Sequence, residues 1–428
     1  MNQKSRGGHS PEKSSARGGL SQAMVFILLF GIVSLFSDMT HEGAASIRGA
    51  YLSLLGASAG TIGFVSGLGE LTGYSLRLLF GRMTDKTGKY WPMVILGYVI
   101  DICAVPALAL VGEHGWVAAC GLLIIQKMGK AIKKPAKDTV MSFAASQEGA
   151  GKSFAIQELL DQIGAVLGPV FLYLIMLSRS GADTVRLYAR CFAFLAIPGA
   201  VTVGLLLVTR RKFPNPADFE PTPKEYIPFR LKGAFILYIA GISLSAFGFL
   251  DYSLIVMHVS RIFTGAGTAA AGGFLTSESL PLLYAWGMLV DALAALIFGF
   301  LYDKRGVLAL SLSAILTAPA ALVFTGKSFG LVFLGVSLWG VGMGAQESIL
   351  KAAVTTMVPK TSRATGYGIF EFSYGIFWFF GSWLLGTLYD VSVPAMVGVS
   401  ACAELLSIIF YILSSRADRR EAGGAPGR

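Results

Sequence analysis

Apolar runs of about 20 residues, each closed off by a short polar, charged or Gly/Pro-containing stretch, recur about a dozen times along this chain. A helix satisfies its own backbone in hydrocarbon, and an open strand or loop does not, so each run predicts a membrane-spanning helix. The predicted spans are 22–40, 59–81, 91–111, 116–137, 153–178, 187–209, 232–258, 275–301, 307–325, 329–357, 364–389 and 393–414. The polar, Pro-containing stretch Arg210–Arg230 divides them six and six. The expected organisation is a tail over 1–21, a helical bundle over 22–209, a linker over 210–231, a second bundle over 232–414 and a tail over 415–428. The expected fold is an all-α polytopic membrane protein with twelve transmembrane helices in two six-helix halves.

Composition agrees: 54% of the 428 residues are hydrophobic and 14% charged, too apolar for a soluble surface. The net charge of +10 does not imply nucleic acid, because the basic residues gather in alternate connections. Lys4, Arg6, Lys13 and Arg17 precede the first span, and Arg82, Lys86 and Lys89 follow the second. Arg210, Arg211, Lys212, Lys224 and Arg230 occupy the linker, and Arg416, Arg419 and Arg420 end the chain. That pattern predicts cytoplasmic termini and an even number of spans; Arg179 and Arg186 break it after span five. No small-residue cleavage site follows the first apolar run, which reads as a retained helix. The four cysteines are scattered singly, without metal or redox spacing.

The six-and-six split invites a search for duplication. Asp38 matches Asp251 at a shift of 213 (251 − 38), and Gly129 then falls on Gly342. Gly81-Arg82-Met83-Thr84-Asp85-Lys86-Thr87-Gly88-Lys89 has a weaker second copy in Gly299-Phe300-Leu301-Tyr302-Asp303-Lys304-Arg305-Gly306. The first copy resembles the G-x-x-x-D-x-x-G-[RK] signature of the major facilitator superfamily, and the resemblance extends over residues 22–414. It implies two pseudo-symmetric six-helix halves and a charge-pair gate at Gly81, Asp85, Gly88 and Lys89, echoed at Gly299 and Asp303. Gly164-Ala165-Val166-Leu167-Gly168-Pro169 resembles the core of the superfamily's antiporter motif, but its following glycines are replaced by Leu172 and Tyr173.

Charges inside spans are costly, which makes them candidate functional groups. Asp38, His41 and Glu42 stand at i, i+3 and i+4 on one helical face. They can share a proton, pair with a cation or bind a divalent metal, with Asp251 completing a candidate set of Asp38, His41 and Asp251. Glu70 and Arg77 are seven apart and share a face. Lys127 lies about 16 Å into its span at ~1.5 Å per residue, and Lys130 is one turn further on. Glu158 and Asp161 on the next span are expected at matching depths, giving a network that includes a Lys130–Glu158 pair. Lys133, Lys134 and Lys137 read as cytoplasmic anchors. Glu347, Lys351 and Glu371 form a rearranged set in the second half, while Asp101 and Asp291 are single buried acids with no evident role.

The expectation is a secondary transporter working by alternating access and coupled to an ion gradient, with Asp38, Glu70, Asp251 and Glu371 as candidate coupling carboxylates. No nucleophile–base arrangement points to an enzyme, no Walker A sequence points to nucleotide-driven pumping, and no cofactor is implied. The basic N-terminus and the segment Ser37–Arg48 look similar to a magnetosome-membrane permease of this superfamily, implicated in iron supply. That implies a bacterial inner membrane or a membrane derived from it. A proton-coupled efflux or organic-anion carrier is the alternative, and a non-transporting scaffold or sensor is the alternative of another class. Expected partners are the bilayer, a small solute or metal ion as cargo, and other membrane proteins of the same compartment.

Overall fold

The computed structural model describes residues 20–178, 183–219, 232–263, 276–325, 328–358 and 363–423. Arg179, Lys224, Arg230 and most of the predicted N-terminal tail lie outside the described residues. The first half comprises α1 (Gln22–Leu54), α2 (Ala59–Thr87), α3 (Tyr90–Ala107), α4 (Trp116–Glu148), α5 (Ala150–Leu177), α6 (Thr184–Phe194) and α7 (Ala196–Lys212). The second half comprises α8 (Gly233–Gly248), α9 (Tyr252–Phe263), α10 (Leu280–Arg305), α11 (Ala309–Thr317), α12 (Phe329–Met357), α13 (Arg363–Val391) and α14 (Val393–Gly423). Short 3-10 turns at Leu108–Leu110 and Ala318–Phe324 extend α3 and α11.

Two predicted spans are broken. Between α6 and α7, Pro198 has no N–H to offer the Phe194 carbonyl, and the helix interrupts at Leu195. Between α8 and α9, Phe249 is extended; the Asp251 carboxylate accepts the Ser253 N–H at 2.8 Å, and Trp339 Nε1 donates to the Leu250 carbonyl at 2.9 Å. Asp251 thus starts a new helix.

Helix ends differ from the predicted spans most at α1 and α4, which run 14 and 11 residues past the expected ends (54 − 40 and 148 − 137). The extensions carry polar residues that would stop a helix in lipid but are tolerated where another helix covers them. Ser46, for example, is buried on α1, and Thr139 and Ser142 are half-buried on α4. Asp38, His41 and Glu42 are therefore at the middle of α1 and not at its outer end.

Eight segments among the described residues are long and apolar enough to cross a membrane, one of them covering both α10 and α11. Of the long helices, α2, α4 and α13 fall outside this set. They carry Glu70, Arg77, Lys127, Lys130 and Glu371, so interior charge is part of what takes these three helices out of the apolar set. The outward surface is apolar, with Leu296, Ile297, Phe300, Leu405 and Ile409 exposed where lipid takes the place of water.

Within the first half, α1 lies directly on α5, because the positions of Gly164 and Gly168 leave room only for hydrogen against the backbone at Leu35, Met39 and Gly43. The halves meet through α2 on α13, α1 on α9 and α5 on α10.

Candidate functional site

The α1 cluster divides between two environments. His41 turns into the first half, where its Nε2 lies 2.7 Å from Asp101 Oδ2. Lys133 Nζ reaches the same oxygen at 2.5 Å and donates to Ser37 Oγ at 3.0 Å, with Tyr98 facing the ammonium at 4.0 Å. Gln126 Nε2 donates to His41 Nδ1 at 3.0 Å, which leaves the imidazole proton on Nε2, directed at Asp101. Asp101 is fully buried, and His41, Lys133 and Gln126 nearly so. The geometry depends on two glycines: a Cβ at Gly97 would come within 2.5 Å of the Lys133 nitrogen, and one at Gly129 within 2.6 Å of the Asp101 nitrogen. With α3 and α4 in backbone contact, the lysine tail lies beside the acid. Lys133 is therefore no surface anchor, and Asp101, left without a role by the sequence, is its counter-ion.

Asp38 and Glu42 face the other way. The charges acting on Asp38 are those of Asp161, Lys130, Lys137 and Glu42. Glu70 on α2 pairs with Lys127 on α4, and Lys137 Nζ lies 3.8 Å from Asp161. The expected Lys130–Glu158 pair does not form. Because α4 continues to Glu148 and only Gly149 separates it from α5, equal depth is set by distance from that turn. Lys137 and Asp161 each stand twelve residues from it (149 − 137 and 161 − 149), whereas Lys130 is nineteen away (149 − 130), level with Gly168. Among the described residues Lys130 makes no ion pair or hydrogen bond, with Glu42, Asp38, Asp101 and Glu70 acting on it, while Glu158 is exposed.

A third set spans the halves. Arg77 Nη1 is 3.5 Å from Glu371 and lies over the Tyr74 ring, which meets Tyr374 edge-on. Tyr284 donates to Glu42 at 2.5 Å, and Gln162 donates to Asp291 at 3.3 Å. Beyond these, Arg48 donates to Ser253 Oγ at 2.9 and 3.1 Å and stands 4.0 Å from Asp251, which also accepts from Ser66 at 3.3 Å. At the helix ends, Asp390 of α13 accepts the Ala59 and Gly60 N–H groups at 3.2 and 2.8 Å, and Arg261 donates to Ser53 at 2.9 Å. The seam is thus tied from mid-helix out to the end where α1 stops and α2 begins.

Asp251 touches α1 at Arg48, ten residues beyond Asp38 (48 − 38), or about 15 Å at ~1.5 Å per residue. The 213-residue shift that aligns Asp38 with Asp251 therefore does not bring them face to face. The candidate metal set Asp38, His41 and Asp251 is dispersed: Lys133 and Asp101 hold His41, and Arg48 and Ser253 hold Asp251. Among the described residues no group of three His, Cys, Asp or Glu side chains converges to hold a metal ion.

The signature segment is helical up to Thr87. Gly88 caps α2 with φ +62°, its N–H meeting the Thr84 carbonyl at 2.8 Å. The second copy also ends α10 on a positive-φ glycine, Gly306 at φ +58°, but with ψ −143° it lies outside the left-handed helical region of Gly88. The Asp85 side chain lies outside the described residues; Lys89 and Asp303 are exposed, and Gly81 and Gly299 are half-buried.

The profile of the Major Facilitator Superfamily matches residues 19–277 and 273–428. An uncharacterised protein of Mycobacterium tuberculosis is 35% identical over 390 residues, 90% of this chain and 91% of its own. An uncharacterised MFS-type transporter of Methanocaldococcus jannaschii is 27% identical over 376 residues, covering 86% and 89%. A solved bacterial homologue of the human lysosomal transporter Spinster, in an inward-facing and unoccupied conformation, shares the fold at TM-score 0.66 and 15% identity, covering 94% and 99%. These relatives lend no support to the magnetosome resemblance.

Proposed function

This chain belongs to the major facilitator superfamily, and from that premise we propose that it is a proton-coupled secondary transporter that moves a small organic solute between its halves by alternating access. The observation that carries this reading is that the interior charges are divided between bonds within the first half and bonds across the seam. Arg77–Glu371 and Glu42–Tyr284 must break if the halves part at mid-depth, whereas Glu70–Lys127 and Lys137–Asp161 can persist. Asp38 is the proposed proton carrier. It lies at the middle of α1, with no ion pair of its own among the described residues, between the cations Lys130 and Lys137 and the acids Asp161 and Glu42. Gain or loss of one proton there changes the balance of the whole cluster.

We place both termini in the cytoplasm with twelve spans, counting α6 with α7 and α8 with α9 as single crossings. The basic connections support this orientation. The tied end of the seam is then the outer one. Asp85 and Lys89 at the inner end of α2 are the proposed gate, with Asp303 as its counterpart at the end of α10.

A second reading, an organic-anion carrier, is favoured by Lys130, an ammonium inside the bundle with no ion-pair partner among the described residues. Iron supply is the least supported cargo, because no ligand set converges among the described residues. Flux into proteoliposomes under an imposed pH gradient, run with organic cations, organic anions and ferrous iron, tests these readings. Gradient-driven accumulation of an organic solute that Asp38→Asn abolishes is expected. Accumulation independent of the pH gradient refutes the coupling.

A further inference from the structure

We propose that the cavity where α3 begins and α7 ends binds the headgroup of an anionic phospholipid. The cavity measures about 790 Å³ and is bounded by the first turn of α3, the last turn of α7 and the chain that follows α7. Its outer wall is built in. Trp91 Nε1 donates to the Phe213 carbonyl at 2.9 Å, the Phe213 ring meets Phe26 edge-on at 5.2 Å, and Gln147 Nε2 donates to the Phe219 carbonyl at 3.0 Å. The start of the linker is thereby tied back onto the first half, and the space beneath it persists.

Lys89, Arg210 and Arg211 line this space, and among the described residues none of their side chains has an ion-pair or hydrogen-bond partner. Asp218, the one acid in the wall among the described residues, pairs with none of them. Three cations against one acid favour a phosphate group, which a guanidinium fork can hold through two parallel hydrogen bonds. The depth of the cavity selects a lipid over free phosphate. Leu207, in the same wall, is 41% exposed, and its neighbour Val208 is 51% exposed, so the lipid-facing flank of α7 ends one turn before Arg210. The cavity therefore opens at the boundary between hydrocarbon and headgroups, where an acyl chain can lie along Leu207 while the phosphate enters among the arginines. The tryptophan in its wall is a residue favoured at that depth.

The proposal rests on the chain being embedded in a membrane and is independent of the solute carried. The test is a titration of the full-length protein in neutral detergent, followed by native mass spectrometry, with phosphatidylglycerol, phosphatidylcholine and inorganic phosphate as probes. Phosphatidylglycerol is expected to bind about tenfold more tightly than phosphatidylcholine, and Arg210→Gln with Arg211→Gln to remove that preference. Trp91→Phe, which keeps every charge but releases Phe213, is expected to weaken phosphatidylglycerol binding several-fold, and Arg419→Gln with Arg420→Gln to leave it unchanged. Unfolding temperatures of the variants establish that they remain folded. Equal binding of the two lipids, or unaltered binding by the folded Arg210/Arg211 variant, overturns the proposal. Displacement of phosphatidylglycerol by low concentrations of inorganic phosphate overturns it in favour of a free-phosphate site.

Discussion

The two halves share a helical plan but treat buried charge in opposite ways. In the first half, Asp101 is met by Lys133 and His41, Glu70 by Lys127 and Asp161 by Lys137. In the second, the buried acids Asp291 and Glu404 are met by an amide and a hydroxyl, Gln162 at 3.3 Å and Ser245 at 2.9 Å, while Asp251 and Glu371 take their arginines, Arg48 and Arg77, from the first half. The second half also packs aromatic rings around the α8–α9 break: Tyr252 on Tyr284, Tyr252 on Trp339 and Phe249 on Trp378. On the proposed reading the difference separates two tasks. Titratable, charge-compensated groups suit the coupling ion, and aromatic faces with hydroxyls suit contact with an organic solute.

The comparison breaks most visibly at Asp101. Lys133→Met leaves that carboxylate buried beside a neutral imidazole and should cost about 3–5 kcal/mol of stability. The double substitution Lys133→Met with Asp101→Leu should recover part of it, as read from thermal unfolding in detergent; simple additivity of the two single losses would mean the pair is not coupled. Next is the seam. Arg77→Gln removes a charge-assisted contact that crosses the halves and should weaken closure there by about 1–3 kcal/mol, read as faster thiol labelling of a reporter at Leu78. Lys137→Gln replaces a buried ammonium beside a half-buried carboxylate with an amide that can still donate to it, and should cost about 1–2 kcal/mol in the same unfolding assay. Glu404→Gln should change stability least, by about 0.5 kcal/mol or less, since Ser245 can still donate to the amide oxygen and no cation is stranded. A loss there as large as that from Lys133→Met would erase the distinction between the halves.

The presence of the helices could be read from hydropathy, because apolar length alone signals a crossing. Their ends could not. Residues Thr40 to Leu54 are too polar for lipid, and only the cover supplied by α5, α9 and α10 makes them helix. The error at α4 had further consequences for the site. Ending that helix at Lys137 put Lys130 opposite Glu158 and made Lys133 an anchor, whereas eleven more residues of helix shift the pairing to Lys137 with Asp161. Glu70, Arg77, Lys127 and Glu371 were legible as interior charges, because a charge within an apolar run needs a partner. The partners on other helices, such as Glu371 for Arg77 and Tyr284 for Glu42, depend on tertiary packing that no periodicity encodes. Asp101 with Lys133 was within reach of the sequence: Gly97 and Gly129 each stand four residues from one member of that pair, and small residues at that spacing are the signal for two helices in backbone contact.

Alternating access requires the tied end of the seam to open. Spin labels at Leu54 and Val391, exposed at the adjoining ends of α1 and α13, report that opening directly by pulsed electron resonance, with the four native cysteines replaced. Two distance populations are predicted, the shorter dominant, with Asp390→Ala moving molecules to the longer one by removing the carboxylate from the α2 N-terminus. A single short distance, unchanged by that substitution, would contradict the account.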